Sequence, residues 1–367
     1  MIIKGKYNSA LITVDDAEHY TLEQVRYLCN LENLKDSHMV FMPDCCPGIV
    51  TPIGGTFTYA DSVMPALVSN DIGCGMFTVK LRKDVDFKQL DSVIRENLTG
   101  KKKIDGLIES YQKKVDLNEL CCGRHIDKSR VLNSLGSLGS GNHFIEIDKD
   151  KNGELYMTVH SGSRLLGTNV HEYYMEEGYK ILKKEISGFQ RLNTFLTGDL
   201  MERYIHDVAI VQRFASLNRR LIADIIVRFI RNKADDEMET VHNYIDIDSK
   251  IIRKGAVSAK ADESLIIPIN MRDGILICTG KGNAEWNSSA PHGAGRLLSR
   301  KDAKELSMDD YRKDMEGVYA PHLSKATLDE APRAYKSIDY IMEHIEDTVS
   351  VDKVLKPIYN YKEAGKD

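Results

Sequence analysis

The chain has 367 residues, of which 42% are hydrophobic and 29% charged, with a formal net charge of −5. That balance excludes a protein that coats nucleic acid through non-specific phosphate contacts, which needs a basic surface. It leaves room for an enzyme that grips a nucleic-acid end with a local positive patch. No run approaches the ~18 apolar residues of a membrane-spanning helix, and the first residues lack the apolar stretch and cleavage site of a secretory leader. A cytoplasmic protein with no membrane contact is therefore expected.

In chain order, residues 20–32 read as a short amphipathic helix. Residues 76–81, 144–147, 155–159 and 275–278 read as strands that border glycine-rich turns. Between Leu200 and Ile230, Tyr204, Val208, Val211, Phe214, Leu217, Leu221, Ile225 and Phe229 recur every three or four positions, which predicts a long helix with one apolar stripe. The seven cysteines (Cys29, Cys45, Cys46, Cys74, Cys121, Cys122 and Cys278) are odd in number, include two adjacent pairs and form no CxxC. Neither a disulfide framework nor a zinc ribbon is indicated.

The residues that suggest chemistry lie in loops beside short strands, where a rigid scaffold usually carries function. Asp71 and Cys74 are three residues apart in a turn made tight by Gly73 and Gly75; together they can face one cation, and the sulfur favours a transition metal over magnesium. Gly139-Ser140-Gly141-Asn142-His143 brings backbone amides and an imidazole together, and His160-Ser161-Gly162-Ser163-Arg164 pairs a candidate metal ligand with a candidate phosphate-binding guanidinium. His242 is a further isolated histidine. In Pro291-His292-Gly293-Ala294-Gly295-Arg296 the small residues leave His292 accessible, as a base, a metal ligand, a covalent nucleophile or simply a helix cap. Three histidines, one cysteine and one aspartate suffice for a one- or two-metal site, and paired metals suit phosphoryl transfer.

Taken in order, these segments resemble the RtcB family of GTP-dependent RNA ligases. The resemblance rests on MPD at 42–44, DIGCGM at 71–76, LGSGNHFIEI at 138–147, HSGSR at 160–164 and FASLNR at 214–219. It continues through HNY at 242–244, RKGAVSA at 253–259, GKGNAE at 280–285, HGAGR at 292–296 and EAPRAYKSID at 330–339. It implies a mixed α/β fold, residues 1–367 as a single domain, and a central site for two Mn²⁺ ions. Asp71, Cys74 and His143 would hold one ion and Cys74, His160 and His242 the other. Contacts to GTP would come from Asn142, His143, Phe144, Ile145 and Glu146, from the loop Pro268-Ile269-Asn270-Met271, from His292 with Gly293, Ala294 and Gly295, and from Lys362.

His292 would be the nucleophile that takes GMP. The substrate would be RNA with a 3′-phosphate or 2′,3′-cyclic phosphate on one end and a 5′-hydroxyl on the other, in RNA repair or tRNA splicing. Arg164 would clamp an RNA phosphate, and the resemblance leaves room for an archease-like activating partner.

The sequence departs from the family pattern at Cys45-Cys46 after MPD, at Leu165 after HSGSR, after Lys362, and in the 268–272 loop. There Ile269 and Asn270 stand where glycine and serine are usual, and a side chain at a glycine position can block close approach to a phosphate. The chain reads as a divergent paralogue. The alternatives are a metal-dependent RNA-end phosphoesterase that uses no nucleotide, and an RNA-binding relative without catalysis.

Overall fold

The computed structural model describes residues 1–98 and 105–363. Two large sheets and several helices make up a mixed α/β fold. The first sheet has the strand order Ile2–Lys4, Ser9–Ile12, Met39–Cys46, Ile53–Thr58, Ile251–Lys254, Asn243–Asp246. The second runs Ala234–Val241, Gly75–Leu81, Leu155–Ser161, Phe144–Lys149, Val349–Tyr361, Gly274–Gly280, Ser264–Asn270. Apart from the parallel pairing of Ser9–Ile12 with Met39–Cys46, neighbouring strands are antiparallel, so this is not a fold of repeated βαβ crossovers.

The predicted strands are all present, each slightly longer than the pattern indicated, and the first helix spans His19–Cys29. The long helix runs Gly198–Phe229, and Tyr204, Val208, Val211, Phe214, Leu221 and Ile225 of the apolar stripe are fully buried. It packs on strands Gly75–Leu81 and Leu155–Ser161, with helix Leu165–Glu185 beside it. No helix among the described residues is long and apolar enough to cross a membrane.

Register decides what the second sheet presents at its end. Met76 pairs with His160, and His160 pairs with Phe144 on its other side, while Gly75 pairs with Val241. Cys74, His143, His160 and His242 therefore sit at the same end of four adjacent strands. His242 is where the chain leaves the second sheet for the first, and its amide donates to the Cys74 carbonyl at 2.9 Å.

A buried arginine fastens this end to the long helix. Arg219, with no exposed surface, donates to the carbonyls of Gly73 (2.6 Å) and Ser161 (2.9 Å), each next to a residue of the cluster, and pairs with Glu239 at 2.8 Å. Removing one partner of such a network strands the others without water. Arg219→Met is expected to lower folding stability by about 3 kcal/mol, read from urea denaturation with the unfolding slope unchanged.

Candidate functional site

Sulfur and ring nitrogens converge at the end of the four strands. Cys74 Sγ lies 3.4 Å from His143 Nε2 and 3.2 Å from His160 Nε2, and His160 Nε2 lies 3.4 Å from His242 Nε2. Asp71 Oδ2 is 3.4 Å from His143 Nε2. The cluster divides into two triads, Asp71–Cys74–His143 and Cys74–His160–His242, with Cys74 common to both. Gly162 keeps room for the carboxylate, since a Cβ there would stand 2.2 Å from Asp71 Oδ1.

The outer nitrogens fix how the rings present themselves. His143 Nδ1 is 3.0 Å from the Leu138 carbonyl, and His160 Nδ1 is 3.1 Å from the Asn142 carbonyl. A carbonyl only accepts, so each Nδ1 carries the hydrogen and each Nε2 lone pair points inward. Arg164 Nη1 also comes within 3.4 Å of His143 Nδ1, but the carbonyl is nearer. Burial, then neighbouring imidazoles, push His160 and His242 well below the usual histidine pKa, which keeps them neutral and able to ligate. Burial would raise Asp71, but His143 beside it outweighs that and holds the carboxyl down at about 2. Burial, then the Asp71 charge, push the Cys74 thiol well up. Lone pairs of nitrogen, sulfur and oxygen facing one another in a dry space are what a cation relieves, and a bound cation would also make Cys74 a thiolate. The donor set fits a transition metal.

His292 stands beside this cluster, its ring centroid 5.0 Å from that of His242. It follows the short strand Ser289–Pro291, paired with Ala256–Ser258, so it is a loop residue and not a helix cap. Its Nδ1 is 2.6 Å from Oδ2 of the fully buried Asp44, which also accepts the His292 amide at 3.2 Å. A carboxylate on Nδ1 fixes the hydrogen there and leaves the Nε2 lone pair available. Gly295, at φ 72°, lets the chain pass over Asp44, where a Cβ would stand 2.1 Å from its carbonyl oxygen. The fully buried Arg253 braces the approach, donating to Ser289 Oγ at 2.8 Å and to the Asn287 carbonyl at 3.2 Å.

From His160 and His292 a cavity of about 730 Å³ opens. Its walls include Asn142, Phe144 and Glu146, the segment Pro268 to Met271, Gly293 to Arg296, and Lys362. Ile145, expected at the nucleotide, is buried in the main hydrophobic core, because strand alternation turns it away from Phe144 and Glu146. His143 does not line the cavity either; its ring belongs to the cluster that could hold a metal. Ile269 and Asn270 both line the cavity and are held by further contacts. Ile269 is 3% exposed and packs in a small core, and the Asn270 side chain closes the following turn through the amides of Arg272 and Asp273.

Two residues of the site carried no sequence assignment: Asp44, buried behind His292, and Glu330, in the cavity wall. Asp44 lies in MPD and Glu330 in EAPRAYKSID, both noted as motifs without a role. Glu146 is bonded by Asn360, and burial raises its pKa, with the buried carboxyl of Asp148 beside it. Glu330 accepts from Lys362 (2.9 Å), Tyr335 (2.6 Å) and Arg300 (2.8 Å).

Comparison with known proteins identifies the family. The family described as "tRNA-splicing ligase RtcB" matches residues 24–123 and 118–363. The chain is 32% identical to an Escherichia coli K12 protein named RNA-splicing ligase RtcB, over 88% of this chain and 89% of that one. It is 28% identical to RNA-splicing ligase RtcB2 of another E. coli strain, over 98% and 99%, and 27% identical to tRNA-splicing ligase RtcB of Nanoarchaeum equitans, over 89% and 87%. This similarity defines an enzyme of the RNA ligase class. The chain belongs to the RtcB family.

The Glu330 network makes a measurable prediction. Burial alone would raise this carboxyl, but Lys362 and Arg300 overcome it and hold it at about 2, below the ordinary 4.5. A depressed acid contributes stability above its unfolded pKa and loses it as pH falls through the folded one, here about 3 kcal/mol between pH ~4.5 and ~2. Metal-free Glu330→Gln is expected to lose correspondingly less stability than the wild type across that window in denaturation curves taken at each pH.

Proposed function

We propose that the protein is a GTP- and Mn²⁺-dependent RNA ligase that joins a 3′-phosphate or 2′,3′-cyclic phosphate end to a 5′-hydroxyl end through a guanylylated His292. The observation that carries this reading is the position of His292, oriented by Asp44 on one nitrogen and, with the ligand cluster beside it, bordering a nucleotide-sized cavity. Cavity walls that draw on residues from Cys46 to Lys362 support a single catalytic domain.

Asp71, Cys74 and His143 would hold one manganese and Cys74, His160 and His242 the other. When bound, the metals supply positive charge for the phosphate oxygens on which negative charge develops. Asn142, Phe144, Glu146 and Lys362 would contact the guanine nucleotide, beside the Pro268–Met271 wall and the Gly293-Ala294-Gly295 loop. With Nδ1–H held on Asp44, the Nε2 lone pair of His292 attacks the α-phosphorus of GTP. An N–P bond forms, the bond to the bridging oxygen breaks, and pyrophosphate leaves with its electron pair.

The cyclic end is opened by water to the 3′-phosphate. An oxygen of that phosphate then takes GMP from His292, and the 5′-hydroxyl attacks the activated phosphorus and expels GMP. Dividing the joining this way gives each displacement a good leaving group. Arg164, whose Nε is buried and has no partner among the described residues, would clamp an RNA phosphate near the cluster.

Intact-mass analysis after incubation with GTP and Mn²⁺ is expected to show one added GMP on the wild type and none on His292→Ala. Wild type without an adduct but with metal bound would instead favour a nucleotide-independent phosphoesterase. Asp44→Asn, which can stabilise the wrong tautomer while keeping the shape, is expected to slow adduct formation by roughly 10²-fold or more in single-turnover kinetics.

A further inference from the structure

A second group of metal-type donors lies away from the cavity. Cys121 stands just before the short turn Gly123–His125, and His206 and Asp207 are consecutive on the helix Gly198–Phe229. Cys121 Sγ is 3.7 Å from His206 Nδ1, and His206 Nδ1 is 3.1 Å from Asp207 Oδ1; all three donor atoms lie within 4.8 Å of one another. From this geometry we infer that Cys121, His206 and Asp207 form a further divalent-metal site, of a kind suited to zinc, that clips the 121–123 turn to the long helix.

The spacing is the first argument. Zinc bonds of about 2.3 Å to sulfur and about 2.0 Å to nitrogen or oxygen, set tetrahedrally, require roughly 3.5 Å between sulfur and nitrogen and roughly 3.3 Å between nitrogen and oxygen. The sulfur–nitrogen separation of 3.7 Å and the nitrogen–oxygen separation of 3.1 Å each lie within about 0.2 Å of these. The second argument is that the carboxylate is built in. Asp207 is fully buried, and it accepts from the amides of Cys121 (2.8 Å) and Cys122 (3.0 Å) and from the Tyr174 hydroxyl (2.8 Å). Such outer hydrogen bonds hold a ligating carboxylate in one orientation.

Cys121 and His206 are exposed, which gives an ion a path in and leaves the fourth position to water. Burial, then the Asp207 charge, raise the Cys121 thiol, while Arg203 acts in the opposite direction; a bound cation would favour the thiolate. The chain closed by this clip is long, since 85 residues separate Cys121 from His206. A ligand bound only by the folded state raises its stability.

The test is equilibrium dialysis of the metal-free full-length protein against Zn²⁺, with bound zinc counted by mass spectrometry, for wild type, Cys121→Ser and His206→Ala. Both variants alter exposed side chains outside the cavity, and adduct formation on His292 is expected to be unchanged in each. Each is expected to bind one zinc fewer than the wild type and to show a smaller zinc-induced rise in Tm. Equal zinc counts in all three proteins, with circular dichroism showing each folded, would overturn the site. Failure of the central cluster to bind metal would lower all three totals together and leave the difference of one intact, so the two readings are separable.

Discussion

Three imidazole nitrogens and one sulfur face one another across 3.2 to 3.4 Å in a buried space, and outer hydrogen bonds to backbone carbonyls hold two of the rings, His143 and His160, in that orientation. Donors so placed could hold a cation, and much of the surrounding structure keeps them together. Antiparallel register brings four strand ends level, Arg219 fastens the carbonyls beside Cys74 and His160 to the long helix, and Gly162 leaves space for Asp71.

The cavity is arranged from the same centre. Phe144 and Glu146 alternate outward on the strand that follows His143, while Ile145 turns to the core. On the far side, Arg253 and Asp44 position the loop that carries His292. The result is an accessible imidazole nitrogen between a metal-type cluster and a nucleotide-sized space, an economical layout for taking a phosphoryl group and passing it on. The Lys362–Glu330 pair, with Tyr335 and Arg300 around it, forms another part of the wall.

Much of this was legible in the sequence because its signals are local. The stripe from Tyr204 to Phe229 specifies a helix by period, and the small residues around Cys74 and His292 mark turns. The division of donors into two triads was legible only through resemblance, since residues 71 to 242 meet only when the sheet assembles. Asp44 was hidden for the same reason: it stands 248 residues from His292, and nothing in MPD alone identifies its partner. The roles of Ile269 and Asn270 also needed the fold. A side chain at a position that usually holds glycine suggests obstruction; both residues stand at the cavity wall, Ile269 also packed in a small core and Asn270 also closing its own turn. Ile145 lies in the core and off the cavity, because strand alternation does not let a contiguous motif form a contiguous surface.

The most direct measurement of the central claim is anomalous diffraction at the manganese edge from crystals grown with Mn²⁺. Two peaks within the cluster, both within bonding distance of the Cys74 sulfur, are the predicted result. A single peak, or two that leave Cys74 unbonded, would contradict the shared-sulfur centre on which this account is built.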